Sequence, residues 1–169
     1  SIMPLPLPSL SDIVLQTISG YKSLTDFPSV NMQEFKMPLV VGSGNGYYTG
    51  RILFRGSPAF FASESEVEEK LEKVSQIEEV VVISASGEKH APIILEAAKK
   101  HGKKTYLISS AKESAGKKIA EISSIFPKFR EPYTYNTSTY FGYMYGLTDR
   151  CDLEKLEIFI ENTLMPLLN

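Results

Sequence analysis

The segment that most constrains the fold is residues 80–110, VVVISASGEKHAPIILEAAKKHGKKTYLISS. It begins with a run of apolar, β-branched residues, 80–83, which is typical of a strand covered on both faces. A Ser/Gly turn follows, and an amphipathic helix is predicted over residues 91–101, with Ile93 and Ile94 on its buried face. A second apolar strand is predicted at residues 105–108. Two parallel strands need a crossover of this kind, so the segment predicts one βαβ unit.

The turn inside this unit is suited to holding an anion. Ser84, Ser86 and Gly87 offer two hydroxyl groups and a flexible backbone where the helix begins. A helix N-terminus carries unpaired N–H groups and a partial positive charge, which favour a phosphate group. The alternative is that one hydroxyl simply caps the helix, although capping does not need two.

Strands and helices alternate through most of the chain. Strands are predicted at residues 38–41, 59–62, 80–84, 105–108 and 122–126, and helices at 13–18, 47–54, 64–77, 91–101 and 114–121. Ser63 is the expected cap of the helix at 64–77, whose apolar face includes Val74 and Ile77. The alternation predicts an α/β fold: a three-layer, doubly wound, mainly parallel five-stranded sheet with the flavodoxin-like order 2-1-3-4-5.

In that order the first and third strands are neighbours, and the loops that follow them diverge to opposite faces of the sheet. Ligands bind in the crevice between such loops. Residues 42–46, GSGNG, follow the first strand and residues 84–89 follow the third. As alternatives, the glycines only permit a tight turn, or the loop belongs to a dinucleotide site. The dinucleotide fingerprint needs glycine where Tyr47 stands, although Glu64 has about the right spacing for its acidic residue.

Three segments together resemble the sugar isomerase (SIS) domain family. VVGSGNGYYTGRI is similar to the family's first-strand loop, G-x-G-x-S followed by a helix. ISASGEKHAPIILEAAKKHGKKTYLISS is similar to its S-x-S-G-x-T turn, helix and next strand, and SAKESAGKKIAE to a later segment. The resemblance covers roughly residues 38–126. It implies an SIS-type fold with a site for a sugar phosphate.

The resemblance carries over residue by residue. It implies that Ser84, Ser86 and Gly87 bind the phosphate group. The first loop, which closes around the sugar in this family, is matched by Gly42, Ser43, Gly44 and Asn45.

Two positions depart from the family pattern. Lys89 stands where the turn ends in Thr, and Gly46 stands where the first loop ends in Ser. Lys89 either replaces the lost hydroxyl with a point charge toward the phosphate or points to solvent.

The implied activity is aldose–ketose isomerisation of a sugar phosphate, carried out by this chain or by an enzyme of which it is one half. The alternative is a regulatory domain that senses a phosphosugar without converting it. The reaction needs a base and a second proton-transferring group, and the candidates are Glu64, Glu88 and His90. A helix N-terminus favours the neutral form of His90, although an exposed polar residue in a first turn is the plainer interpretation. No cofactor and no metal ion are expected.

The C-terminal part adds weaker candidates. Residues 131–145 contain five tyrosines, which favour a buried core or an oligomer contact. Thr137 and Ser138 lie at a potential helix start, and the family resemblance implies that they are further candidates for contact with the sugar. A last amphipathic helix is predicted from Asp152.

The chain is predicted to form a single SIS domain over residues 1–169: a helical lead-in at 1–37, a core at 38–126 and a helical segment at 131–169. SIS isomerases commonly pair two such domains, so the resemblance implies a homodimer or a second SIS domain, or an excised amino-terminal half. A net charge of −2 gives no reason to expect nucleic acid as a partner. No apolar run of membrane-spanning length and no signal peptide are found, so no membrane association is expected. A single cysteine, Cys151, favours the reducing cytoplasm.

Overall fold

The computed structural model describes residues 30–128 together with Ser19, Pro28, Tyr140 and Tyr143. Within this part of the chain, strands and helices alternate. The strands are β1 (Pro38–Val41), β2 (Phe60–Ala62), β3 (Glu79–Ile83), β4 (Lys104–Ser109) and β5 (Ile122–Ile125). The α-helices are α1 (Asn45–Leu53), α2 (Val67–Lys73), α3 (His90–Lys100) and α4 (Ala115–Ile119), with single 3₁₀ turns at Met32–Glu34 and Glu64–Glu66.

The five strands form one sheet in the order β2-β1-β3-β4-β5, and each neighbouring pair is parallel. β1 lies between β2 and β3, with Val41 paired to Ala62 on one side and to Val82 on the other. The predicted α/β class, the strand order and the doubly wound arrangement are confirmed.

The sheet separates two apolar cores because alternate strand residues face opposite sides. On one side, Leu39, Val41, Val80 and Val82 pack against residues of α2 and α3. On the other side, Val40, Val81 and Ile83 pack against Phe54, which follows α1, and against Tyr143. α1 and α3 therefore lie on opposite faces, and the loops before them diverge at the carboxyl ends of β1 and β3.

Three details of the sequence-based prediction are wrong. The helix predicted over residues 64–77 is a 3₁₀ turn followed by α2, which ends at Lys73; Val74 is extended, and Ile77 reaches the core from the turn that follows. A helix running to 77 would leave a single residue to reverse direction before β3. The helix predicted over 114–121 ends at Ile119 for a similar reason, because β5 begins at Ile122.

The third error concerns Ile93, which is 67% exposed. The buried residues of α3 are Ala91, Ile94, Leu95, Ala97 and Ala98, and the stripe at 91, 94, 95 and 98 follows helical spacing, with the small Ala97 at its margin. Ile93 lies two residues from Ala91 and from Leu95, so it falls on the opposite side of the helix.

Several predictions fall outside the described residues: the helix at 13–18, most of the tyrosine-rich segment, the candidates Thr137 and Ser138, and the helix from Asp152. None of the helices in the described part of the chain combines the length and the apolar character needed to cross a membrane.

Candidate functional site

Three strand ends meet at a cavity of about 400 Å³ at the carboxyl edge of the sheet. Because β1, β2 and β3 are parallel neighbours, their following loops all emerge at this edge. Each loop contributes to the cavity wall, and one residue from the C-terminal part joins them. The lining residues are Ser43, Glu64, Ser84, Ala85, Ser86, Glu88, Lys89, His90 and Tyr140.

The loop after β3 is organised by its two serines. Ser84 Oγ accepts a hydrogen bond from the Gly87 N–H at 3.0 Å, and Ser86 Oγ accepts one from the Glu88 N–H at 3.3 Å. Neither serine caps α3, because the N-cap residue is Lys89, whose side chain makes no capping hydrogen bond. The hydroxyl groups therefore shape the turn as acceptors, and within the described part of the chain neither hydroxyl proton has a protein acceptor, so both are available to a ligand.

Gly87 is required at the centre of this turn. Its φ is +67°, and a Cβ atom built there would lie 2.3 Å from Ser114 Oγ and 2.8 Å from Ser114 Cβ. Its carbonyl oxygen accepts a hydrogen bond from the Gly116 N–H at 2.9 Å. The turn is thus closed tightly against the start of α4.

Lys89 adopts an unusual backbone conformation. Its φ is 56° and its ψ is −103°, and it is the only non-glycine residue with positive φ in the described part of the chain. A conformation of this kind costs about 1–3 kcal/mol for a residue with a Cβ atom. Among the described residues, the Lys89 ammonium group has no carboxylate or carbonyl partner, and Lys89 is one of the residues that line the cavity.

A histidine and a carboxylate are in contact in the wall of the cavity. His90 Nε2 lies 3.3 Å from Glu64 Oε2, and their side chains are 61% and 28% exposed. Glu64 is the first residue of the 3₁₀ turn after β2, and His90 is the first residue of α3. The structure thus brings together two residues that are 26 positions apart in sequence.

Glu88, the third catalytic candidate, is held differently. Its Oε1 accepts a hydrogen bond from the Ala115 N–H at 3.1 Å, so it joins the turn to α4. It also borders a second, more apolar cavity of about 460 Å³ beside α4, where no other candidate residue lies. The smaller cavity holds most of the polar candidates, and the candidate site is therefore assigned to it.

The loop after β1 contributes mainly its backbone. Of residues 42–46, Ser43 lines the cavity. Gly44 is the N-cap of α1, and Asn45 and Gly46 form the first turn of that helix, two residues earlier than predicted. Gly42 is buried behind them.

Tyr140 is the lining residue that the sequence did not single out. Burial raises the pKa of its phenol, and the nearby Glu64 charge adds to this, while a hydrogen bond from the Ala85 backbone opposes it. The only signal in the sequence was the cluster of tyrosines, which predicted a core or an oligomer contact. Tyr143 does lie in the core, with no exposed surface, whereas Tyr140 reaches the cavity.

No protein-family model matches the sequence, and a search of curated proteins gave no match. Among solved structures, the chain is similar to a ligand complex of the E. coli CFT073 protein c3406, with 19% identity over 88% of this chain and 87% of that one and a TM-score of 0.61. It is also similar to the sugar isomerase domain of the RpiR transcription factor from Sphaerobacter thermophilus, with 11% identity over 94% and 88% of the two chains and a TM-score of 0.56.

A third similar structure is the Vibrio vulnificus NanR protein complexed with ManNAc-6P, with 13% identity over 92% of this chain and 61% of that one and a TM-score of 0.57. At these identities the likeness concerns the fold. The described chain has the fold of sugar isomerase domains, as the three sequence segments indicated.

Proposed function

We propose that this chain binds a phosphorylated sugar in the cavity at the ends of β1, β2 and β3. The observation that carries the proposal is the wall formed by Ser84, Ser86 and Lys89 at the start of α3. This wall lies at the switch point of a fold shared with the NanR protein, whose structure was solved in complex with ManNAc-6P.

The phosphate group would lie at the N-terminus of α3. The helix dipole favours an anion there, and α3 lacks a side-chain cap that would compete for its first N–H groups. The hydroxyl protons of Ser84 and Ser86 and the ammonium group of Lys89 are further donors. Hydrogen bonds to a charged group each contribute about 1.5–3 kcal/mol.

The sugar would extend from this turn toward the loop after β1 and toward Glu64. Ser43 faces it directly, and Gly42, Gly44 and Asn45 set the path of that loop. The ligand would thus be held between two loops that belong to opposite faces of the sheet.

The reaction that best suits the cavity is aldose–ketose isomerisation. A base takes the proton from C2 of the aldose and returns it to C1, while a second group moves a proton between the two oxygens. We assign these two functions to Glu64 and His90, because they contact each other inside the cavity. Glu88 is the weaker candidate, since one of its oxygens already accepts the Ala115 N–H.

Phosphosugar sensing is the second candidate function. The observation that favours it is the similarity to the sugar isomerase domain of a transcription factor, which covers most of both chains. In this case Glu64 and His90 would only bind the ligand. For either function, a homodimer or a second SIS domain is the predicted partner, as the family resemblance implies.

The test is a thermal-shift screen with pentose, hexose, heptose and amino-sugar phosphates, each paired with its unphosphorylated sugar. Nicotinamide dinucleotides are included because the loop at 42–46 left that alternative open. At least one sugar phosphate is expected to raise the melting temperature when its parent sugar does not. Stabilisation by dinucleotides or neutral sugars alone would contradict the proposal.

Variants then locate the phosphate. Ser84→Ala and Ser86→Ala are each expected to weaken binding about tenfold. Ser124→Ala, on β5 and outside the lining of this cavity, is the matched control and should bind as the wild type does. Unchanged affinity in both cavity variants would place the phosphate elsewhere.

Proton exchange separates the two functions. An isomerase will exchange the C2 proton of the bound phosphosugar for deuterium in deuterated water, and Glu64→Gln should abolish the exchange. A sensor will bind the same ligand and show no exchange in the wild type.

A further inference from the structure

Tyr140 enters the cavity from outside the two loops and is held there by other aromatic rings. Its ring packs edge-to-face on Tyr143, with ring centroids 5.5 Å apart. Tyr143 packs in turn on Phe126 at 5.2 Å, and its own hydroxyl lies 3.0 Å from Ser110 Oγ. The buried Tyr143 therefore supports Tyr140, which is half-buried and lines the cavity.

The Tyr140 hydroxyl lies close to both loops. A Cβ atom built on Gly46 would lie 3.3 Å from it, so the absence of a side chain at 46 leaves room for the phenol. The Ala85 backbone hydrogen bond lowers the phenol's pKa. A hydrogen bond with that effect is donated to the phenol oxygen, so its donor is the Ala85 N–H.

The phenolic proton is left available. Within the described residues, the Tyr140 O–H donates to no protein acceptor. The phenol also stays protonated at neutral pH, because burial and the charge of Glu64 both favour its neutral form. A donor that is anchored by a packed ring, belongs to a residue lining a cavity and has no protein acceptor suits a ligand oxygen.

We propose that Tyr140 is a ligand-binding residue whose O–H donates a hydrogen bond to an oxygen of the sugar rather than of the phosphate. This inference rests on the proposed function. The phosphate donors Ser84, Ser86 and Lys89 lie at the start of α3, whereas Tyr140 lies over Gly46 and within range of the Glu64 charge. The Tyr140 O–H also lies beside position 46, where this sequence has glycine and the SIS pattern has a serine. It can therefore take the place of the missing serine as a hydrogen-bond donor.

Tyr140→Phe tests the assignment by removing one oxygen and leaving the ring. Tyr143→Phe is the matched control, because its hydroxyl bonds Ser110 instead of facing the cavity. Affinity is measured by calorimetry for the sugar phosphate that gives the largest thermal shift, and by competition for inorganic phosphate. We expect Tyr140→Phe to lose about three- to tenfold in phosphosugar affinity with inorganic phosphate unchanged, and Tyr143→Phe to lose none.

The outcomes separate this inference from the proposed function. Unchanged phosphosugar affinity in Tyr140→Phe, or an equal loss for inorganic phosphate, overturns the assignment of Tyr140 to the sugar and leaves phosphosugar binding intact. A wild type that binds no sugar phosphate overturns both. A thermal unfolding curve for each variant shows whether it is folded. Tyr140→His keeps a ring N–H donor, so it should bind the phosphosugar more tightly than Tyr140→Phe does if the donated proton is what matters.

Discussion

The two loops that face each other across the cavity have the same backbone conformation at the same point but use different residues. Gly44, the N-cap of α1, has φ 51° and ψ −123°, and Lys89, the N-cap of α3, has φ 56° and ψ −103°. Glycine adopts this conformation without strain, whereas lysine does not. Both strand-to-helix turns thus take this conformation, and at Lys89 the folded state carries a strain that Gly44 avoids.

Under the proposed function, ligand binding can offset this strain. Strain at Lys89 costs about 1–3 kcal/mol, and a charge-assisted hydrogen bond to a ligand phosphate returns about 1.5–3 kcal/mol. The gain exists only when the ligand is bound. In the ligand-free protein, Lys89 lowers the free energy of unfolding. Measuring the free energy of unfolding and the ligand affinity of the same variants can separate these two effects.

The largest effect is expected from adding a methyl group to each loop. Gly87→Ala and Gly44→Ala both place a Cβ atom on a backbone with positive φ, but only the Cβ at Gly87 meets the Ser114 side chain, and the Cβ at Gly44 meets nothing within 4 Å. We expect Gly87→Ala to lower the free energy of unfolding by about 2–5 kcal/mol and Gly44→Ala by about 1–3 kcal/mol. Urea denaturation measures both.

Equal losses in these two variants would show that the backbone conformation, rather than the contact with Ser114, is what requires glycine at 87. Glycine would then be required at 44 and at 87 for the same reason, the positive φ.

Substitution of Lys89 tests whether this lysine lowers stability and strengthens phosphosugar binding. Lys89→Gly should raise the free energy of unfolding by about 1 kcal/mol, because the relief of strain exceeds the added entropy of the unfolded chain. It should also weaken phosphosugar binding by about tenfold or more. Lys89→Ala removes the charge but keeps a Cβ atom, so it should lose the same affinity without the gain in stability.

Lys100→Ala, at the opposite end of α3, is the control for a general loss of positive charge. If Lys89→Ala binds the phosphosugar as tightly as the wild type, the Lys89 side chain points to solvent and the strain has another origin.

The sequence predicts the sheet well because strand residues are selected by burial on both faces. The apolar, β-branched run Val80, Val81 and Val82 predicts a strand buried on both faces, and the structure buries all three residues. The helices between the strands predict that neighbouring strands are parallel. Helix ends are predicted less well: α2 stops at Lys73 because β3 must begin six residues later, which is a constraint of the sheet and not of the local pattern.

The site is predictable in part, for a related reason. Ser84, Ser86 and Glu64 lie at strand ends, and strand ends of a parallel sheet meet at one edge. The contact between Glu64 and His90 depends on where α3 begins, and the conformation of Lys89 has no signature in its residue type. The position of Tyr140 in the cavity wall depends on its packing against Tyr143, and through it on Phe126, and these residues lie far from the loops in sequence.

The smallest effect concerns alkaline stability, and it tests whether the Tyr140 phenol contacts the ligand. The pKa of Tyr140 is raised chiefly by burial, with a further contribution from Glu64. Below the ordinary tyrosine pKa of about 10 both the folded and the unfolded states keep the proton, so stability is unaffected there. As the pH rises above about 10, the unfolded state loses the proton first, and folding is penalised until the raised pKa of the folded state is passed.

The wild type should therefore lose more stability than Tyr140→Phe between about pH 10 and 11, when both are measured by urea denaturation at matched ionic strength. Tyr106→Phe is the comparator, because burial also raises the pKa of Tyr106, which lies on β4 and outside the lining of the cavity. Each variant should flatten the alkaline decline. A bound phosphosugar should steepen the decline of the wild type and of Tyr106→Phe, because the ligand adds an acceptor for the Tyr140 proton and raises the phenol's pKa further, and it should leave the decline of Tyr140→Phe unchanged. A ligand effect of equal size in Tyr140→Phe would argue that the Tyr140 hydroxyl has no contact with the ligand.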